Sequence, residues 1–246
     1  MNEAVVMESK PLSQVERVVD TFVAPRKTFT DILRSSSWWL PFLIIVLLSE
    51  VFSYTVLHKV GVNTLVDSVV HSSAPLEDRL NGASPADAAR MRAGIAMQFK
   101  FMYVYPILAL IFALIAAGVL LATANFGFGG RATYGRMLAV WFYGTLPLAF
   151  ISILTVVAIY AGMSTDSFNV KNAIGTNAGY YLQDSAPHWL STLLSSFDVF
   201  AIWTACVLTI GVSIVAGIKR SSAAIVVFGW WGLWIVLQTG IAAVSG

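Results

Sequence analysis

Five separate apolar stretches, each long enough to cross a bilayer, take up most of this 246-residue chain. They lie near Trp39–Leu57, Met102–Ala124, Met137–Ala161, Phe197–Ile218 and Ala223–Val244. A spanning helix needs roughly 20 predominantly apolar residues, because lipid cannot satisfy backbone N–H and C=O groups. The pattern therefore predicts an all-α, polytopic membrane protein of five transmembrane helices, preceded by an amphipathic interfacial helical segment. Composition agrees, with 57% hydrophobic residues and only 11% charged, against about 25% charged in soluble domains. A net charge of +2, with no basic stripe carrying interleaved aromatics, argues against nucleic acid as a partner. Two regions are expected: a cytoplasmic amphipathic segment over residues 1–37 and a five-span membrane domain over 38–246.

The first 37 residues are polar or amphipathic and the apolar run begins only at Trp38. A secretory signal places its short apolar core earlier, so the first stretch reads as a retained span. Basic residues set the orientation. With the N-terminus inside, Lys10, Arg17, Arg26, Lys27, Arg34, Arg131, Arg136, Lys219 and Arg220 are cytoplasmic. The outside then holds Lys59, Arg79, Arg90, Arg92, Lys100 and Lys171. This predicts an N-terminus in and a C-terminus out.

Before the first span, Val15, Val18, Val19 and Phe22 follow the i, i+3, i+4, i+7 spacing of an amphipathic helix. Ser13 and Glu16 have capping-box spacing. Pro25 interrupts, and Phe29, Ile32 and Leu33 restart the period. Basic Arg17, Arg26, Lys27 and Arg34 flank these faces, as basic residues do in helices lying at an anionic headgroup surface. Val15, Val18, Val19, Phe22, Arg26, Lys27 and Phe29, with Arg131 of the next inner connection, form the candidate interfacial or partner-binding surface. The outer connections 58–100 and 162–196 read as loops, with a helix starting at Ser84-Pro85 and running into the second span.

Inside the spans, Glu50 is the ionisable residue at depth, and such a group must be neutral, paired or turned toward the bundle interior. Thr204 and Gln238 are its expected partners, and the three form the candidate intramembrane polar site. Small-residue stripes at Ala109, Ala113, Ala117 and at Ser213, Gly217 predict helix–helix seams. Pro147 predicts a kink. Trp230, Trp231 and Trp234 are expected to pack within the bundle.

No catalytic residue is expected. His58, His71 and His188 lack metal-ligand spacing, Cys206 has no histidine at its depth, and no HExxH, GxSxG, P-loop or GxGxxG motif is present. Neither a metal nor a cofactor is expected.

Several segments resemble bacterial Yip1-domain membrane proteins: Phe22-Val23-Ala24-Pro25-Arg26-Lys27-Thr28-Phe29, then Trp38-Trp39-Leu40-Pro41 opening a span. The run from Tyr134 to Pro147, the run from Phe197 to Trp203, and Gly229-Trp230-Trp231 leading to Gly240 complete the set. The resemblance implies five spans with a cytoplasmic N-terminus and no catalytic residues. Eukaryotic relatives are membrane adaptors linked to small GTPases and vesicle traffic, and this chain lacks their DLYGP-type motif. The expected function is a non-enzymatic scaffold or adaptor that organises membrane or partner proteins. Membrane lipids, proteins at the cytoplasmic face and a second copy of the chain are its expected partners. The alternative is a small transporter or channel working through Glu50.

Overall fold

The computed structural model describes residues 10–71, 73–165, 168–169, 172–183 and 186–245. Lys171, used above for orientation, and the first nine residues of the N-terminal segment lie outside the described residues. All regular structure among the described residues is helical. Five helical segments are long and apolar enough to span a bilayer: Trp39–Val60, Pro85–Gly127, Tyr134–Tyr160, Val199–Ala216 and Arg220–Val244. The chain is thus an all-helical integral membrane protein. It divides into two units.

The first unit comprises the described residues of Met1–Val46 with Pro106–Ala149 and Phe200–Leu233. It opens with two short helices, α1 (Gln14–Val23) and α2 (Pro25–Ile32), before the spanning α3 (Trp39–Thr55) begins. The rest is built from α7 (Tyr105–Ala122), α8 (Tyr134–Gly144), α11 (Val199–Ala216) and the first part of α12 (Arg220–Ser245). Its core runs from Phe29 and Ile32 through Ala113, Ala117 and Leu120 to Met137, Val140, Tyr143, Leu208 and Val212. Trp38 stacks on Phe142 with centroids 5.0 Å apart, fixing the entry to α3.

Ala113 and Ala117 are fully buried, as a seam requires, while Ala109 is only half-buried. The Ser213 and Gly217 stripe is not a seam. Gly217 is exposed with φ +69, and the Ile218 N–H donates to the Ser213 carbonyl at 3.1 Å. That is a helix C-terminus closed by a left-handed residue, which glycine adopts without steric cost. The close approach lies instead at Gly211, where an added Cβ would sit 2.7 Å from Val140 Cγ1 and 2.9 Å from Phe29 Cε1. Trp230 is not packed inside either. It is half-exposed, and its indole N–H donates to the Thr123 hydroxyl at 2.9 Å.

The second unit comprises Leu47–Tyr105, Phe150–Val199 and the described part of Trp234–Gly246. Connection 58–100, expected as a loop with one helix, holds three: α4 (Val62–His71), α5 (Ala74–Asn81) and α6 (Pro85–Lys100). Val66, Val70, Leu80 and Ile95 close a small apolar core among them, and Arg92 of α6 pairs with Asp67 of α4. As expected, Ser84 caps α6, accepting from the Asp87 N–H, and a 3₁₀ turn over Phe101–Val104 carries the chain on into the second span. Pro147 does more than kink its span. It sits in a 3₁₀ turn, Leu146–Leu148, that separates α8 from α9 (Ala149–Tyr160). The second outer connection contributes a 3₁₀ turn at Ala178–Tyr181 and α10 (His188–Ser195).

Candidate functional site

The N-terminal helix pair shows which face of an amphipathic segment this fold hides. At its start Ser13 and Glu16 exchange bonds. The Ser13 N–H donates to Glu16 Oε2 at 2.7 Å, and the Glu16 N–H donates to Ser13 Oγ at 3.2 Å. The Ser13 backbone N–H, then its hydroxyl, hold the fully exposed Glu16 carboxyl below its ordinary value of 4.5, with Lys10 adding a favourable charge. Both orphan amides at the helix start are thereby satisfied.

One turn on, the polar side of α1 turns inward. Arg17 is only 3% exposed. Its Nε donates to Asp31 Oδ2 of α2 at 2.6 Å, and its Nη1 donates to the Ser35 carbonyl at 3.0 Å. The hydroxyls of Thr21 and Thr28, both fully buried, donate to the Arg17 carbonyl at 2.7 and 2.9 Å. The Leu12 N–H, at 3.4 Å, and Arg34, at 3.9 Å, also approach the Asp31 carboxylate. The sequence reading placed Arg17 at the headgroup surface. It is buried because a carboxylate and a carbonyl meet its guanidinium, and burial of a charge requires such partners.

The pair is bound to the rest of its unit at three further points. The Tyr143 hydroxyl donates to Gln14 Oε1 at 2.9 Å, and Arg136 Nη2 donates to the Leu33 carbonyl at 2.5 Å. Phe22 meets Trp203 edge to face at 5.9 Å, and Val18 packs beside it on the same core. Phe29 fills the space above Gly211 and is fully buried, so it presents nothing to a partner. What α1 leaves outward is Val15, Val19 and Val23, at 66, 53 and 74% exposure, a stripe of i, i+4, i+8 spacing. Arg26 and Lys27 are exposed at the following turn.

Arg131 also points outward, while its backbone N–H donates to the Ala216 carbonyl at 3.0 Å. Asn125 brackets Ala132 with two hydrogen bonds, 2.9 and 3.0 Å. These bonds fix the short connection between α7 and α8 against the end of α11.

The intramembrane candidates are divided between the two units. Glu50 and Gln238 are half-buried residues of the second unit whose side chains form no hydrogen bond or ion pair among the described residues. Thr204 belongs to the first unit, where its buried hydroxyl has no hydrogen-bond partner. A cavity in the second unit, lined by Phe52, Thr155 and Asp198 among others, does not have Glu50 in its wall.

The inward-facing polar side of α1 was missed from the sequence, although a signal existed. Gln14, Arg17 and Thr21 share one face of α1 at i, i+3, i+7, and each makes an inward bond, buried at Arg17 and Thr21 and partly buried at Gln14.

Neither a curated protein nor a solved structure matches the chain significantly. The Yip1 domain model matches residues 19–242, from the middle of α1 to near the end of α12, and the chain belongs to the Yip1 domain family.

Proposed function

We propose that this protein is a non-enzymatic membrane adaptor that uses α1 as a fixed recognition face for a partner protein. The observation that carries the reading is the direction in which α1 is held. Its polar stripe is bonded inward through Arg17, Thr21 and Gln14, leaving Val15, Val19 and Val23 exposed on the opposite side. A lone amphipathic helix would do the reverse and bury its apolar stripe. Burying three valines against a partner contributes at most about 1.5–3 kcal/mol each, which suits weak, reversible capture rather than a permanent complex. The partner that fits is a protein with an apolar helical face of its own. The exposed Arg131 connection forms a second contact area.

The excess of basic residues on the Arg131, Arg136 and Lys219, Arg220 connections supports an N-terminus in the cytoplasm and a C-terminus outside. Together with the resemblance to bacterial members of the family, this favours a bacterial cytoplasmic membrane.

A photo-reactive residue placed at Val19, and separately at Phe22, tests the adaptor reading in intact membranes. The expected result is a discrete protein adduct from position 19, abolished by Val15→Ser with Val23→Ser, and none from position 22. Adducts to lipid alone at position 19 would make α1 a membrane-surface anchor and remove the basis for the adaptor.

A further inference from the structure

We infer that a second copy of the chain docks on the outward face of α3, where Glu50 of one copy hydrogen-bonds to the same residue of the other within the bilayer. The inference uses no residue of α1 and goes beyond the adaptor reading. It starts from depth. Glu50 lies halfway along the span Trp39–Val60, which is 22 residues long. At 1.5 Å per residue, about 15 Å of helix separates it from either end. A glutamate side chain does not reach the headgroups from there. A carboxyl group in hydrocarbon needs a partner, because lipid offers it no hydrogen bond. Yet the Glu50 side chain forms no hydrogen bond or ion pair among the described residues.

The side of α3 that carries Glu50 is the side its own unit leaves open. Leu47, Glu50, Val51 and Tyr54 follow i, i+3, i+4, i+7 spacing, and all four belong to the second unit. Leu47, Val51 and Tyr54 are 56, 51 and 55% exposed, while Thr55 and Val56 on the opposite side are buried. Glu50 therefore stands in an outward stripe. Tyr54, one turn on, does not satisfy it. The Tyr54 ring stacks on His58 with centroids 4.1 Å apart, and its hydroxyl forms no hydrogen bond among the described residues.

Whatever covers this stripe must offer hydrogen bonds at the depth of Glu50. A second copy does so by symmetry. All copies insert in one direction, so a two-fold axis along the membrane normal sets two α3 helices parallel. Each residue near the axis then meets its own counterpart at equal depth, and Glu50 meets Glu50. A carboxyl group that holds its proton carries one O–H donor and keeps acceptor oxygens. Two such groups donate to each other reciprocally, so neither is left unsatisfied. Leu47, Val51 and Tyr54 pack around the pair in the spacing that parallel helices use. Apolar contact alone drives little association in lipid, since acyl chains are as apolar as leucine, and the carboxyl pair supplies the specific attraction.

The test uses the purified full chain in phosphatidylcholine vesicles, dilute enough that random collisions are rare, so that a second copy is the one protein available. In a Cys206→Ser background, Leu47→Cys and Tyr54→Cys are each expected to give disulfide-linked dimers. Val236→Cys, equally outward on α12 at 67% exposure, is expected to give at least tenfold fewer. Energy transfer between copies labelled at the N-terminus then reads the dimer dissociation constant. Glu50→Leu keeps the stripe apolar and removes the hydrogen bonds, and is expected to raise that constant about tenfold or more. Glu50→Gln, whose amide also donates and accepts, is expected to stay within about threefold of the unaltered chain. The crosslinking arm leaves Glu50 in place and stands even if the leucine variant fails to insert. No dimer from Leu47→Cys and Tyr54→Cys, or equal yields at all three positions, would overturn the assignment. So would an unchanged constant in Glu50→Leu, or a loss in Glu50→Gln as large as in Glu50→Leu.

Discussion

At the residue scale the decisive group is Arg17, because its burial fixes which side of α1 faces out. A buried charge pair is costly to break from one side, since the remaining charge keeps its desolvation cost without its partner. Asp31→Leu is therefore expected to destabilise the protein by about 3–5 kcal/mol, read as a lower melting temperature in detergent. The double variant Arg17→Met, Asp31→Leu is expected to recover a large part of that loss, because an apolar pair of similar volume needs no compensation. Glu16 gives a pH-dependent counterpart. Its carboxyl is held below its ordinary value by the Ser13 amide and hydroxyl, so its contribution is present above pH 4.5 and disappears as the pH falls through the lowered value. The Ser13 amide resonance is expected to lose its hydrogen-bonded shift below pH 4.5, and to be flat with pH in Glu16→Gln. The capping box was legible in the sequence because its partners stand three residues apart. The pairing of Arg17 with Asp31 was not, because it depends on how α1 turns back on α2 at Ala24 and Pro25, and nothing in the local spacing specifies that angle.

Elements show the same division between local and tertiary information. Spans and the start of α6 at Ser84-Pro85 are local patterns and were read correctly. Helix α4 had a legible pattern that was passed over: Val62, Leu65, Val66, Val69 and Val70 repeat with helical period. The polar setting of connection 58–100 masked it, and the apolar face is explained only by the core it shares with Leu80 and Ile95. Small residues misled for a physical reason. Glycine serves both close packing and left-handed helix ends, and spacing alone does not tell Gly217 from Gly211. The structure separates them, with φ +69 at Gly217 and the side chains of Val140 and Phe29 closing over Gly211. Gly211→Val would overpack this contact, with an expected cost of about 1–3 kcal/mol and release of Phe29 from its site. Tryptophan fluorescence from Trp203, which contacts Phe22, is expected to shift in that variant while Gly229→Ala, where an added Cβ meets nothing, leaves it unchanged.

For the whole molecule, five spans and membership of the Yip1 domain family set the frame, and the adaptor reading adds a surface fixed in advance on it. The competing transport reading puts the function on Glu50. The adaptor reading expects Glu50→Gln to change stability by no more than about 0.5 kcal/mol and to leave partner capture intact, as read by thermal unfolding and by the Val19 adduct. Hydrogen exchange in lipid nanodiscs, followed through residues 14–32 with α8 as the internal reference, tests the central claim most directly. If α1 and α2 are a preformed platform, their amides exchange nearly as slowly as those of α8, and Asp31→Leu accelerates them together. Exchange at the rate of an unstructured peptide in the unaltered protein would mean that α1 is not held, and the account of a fixed recognition face would be contradicted.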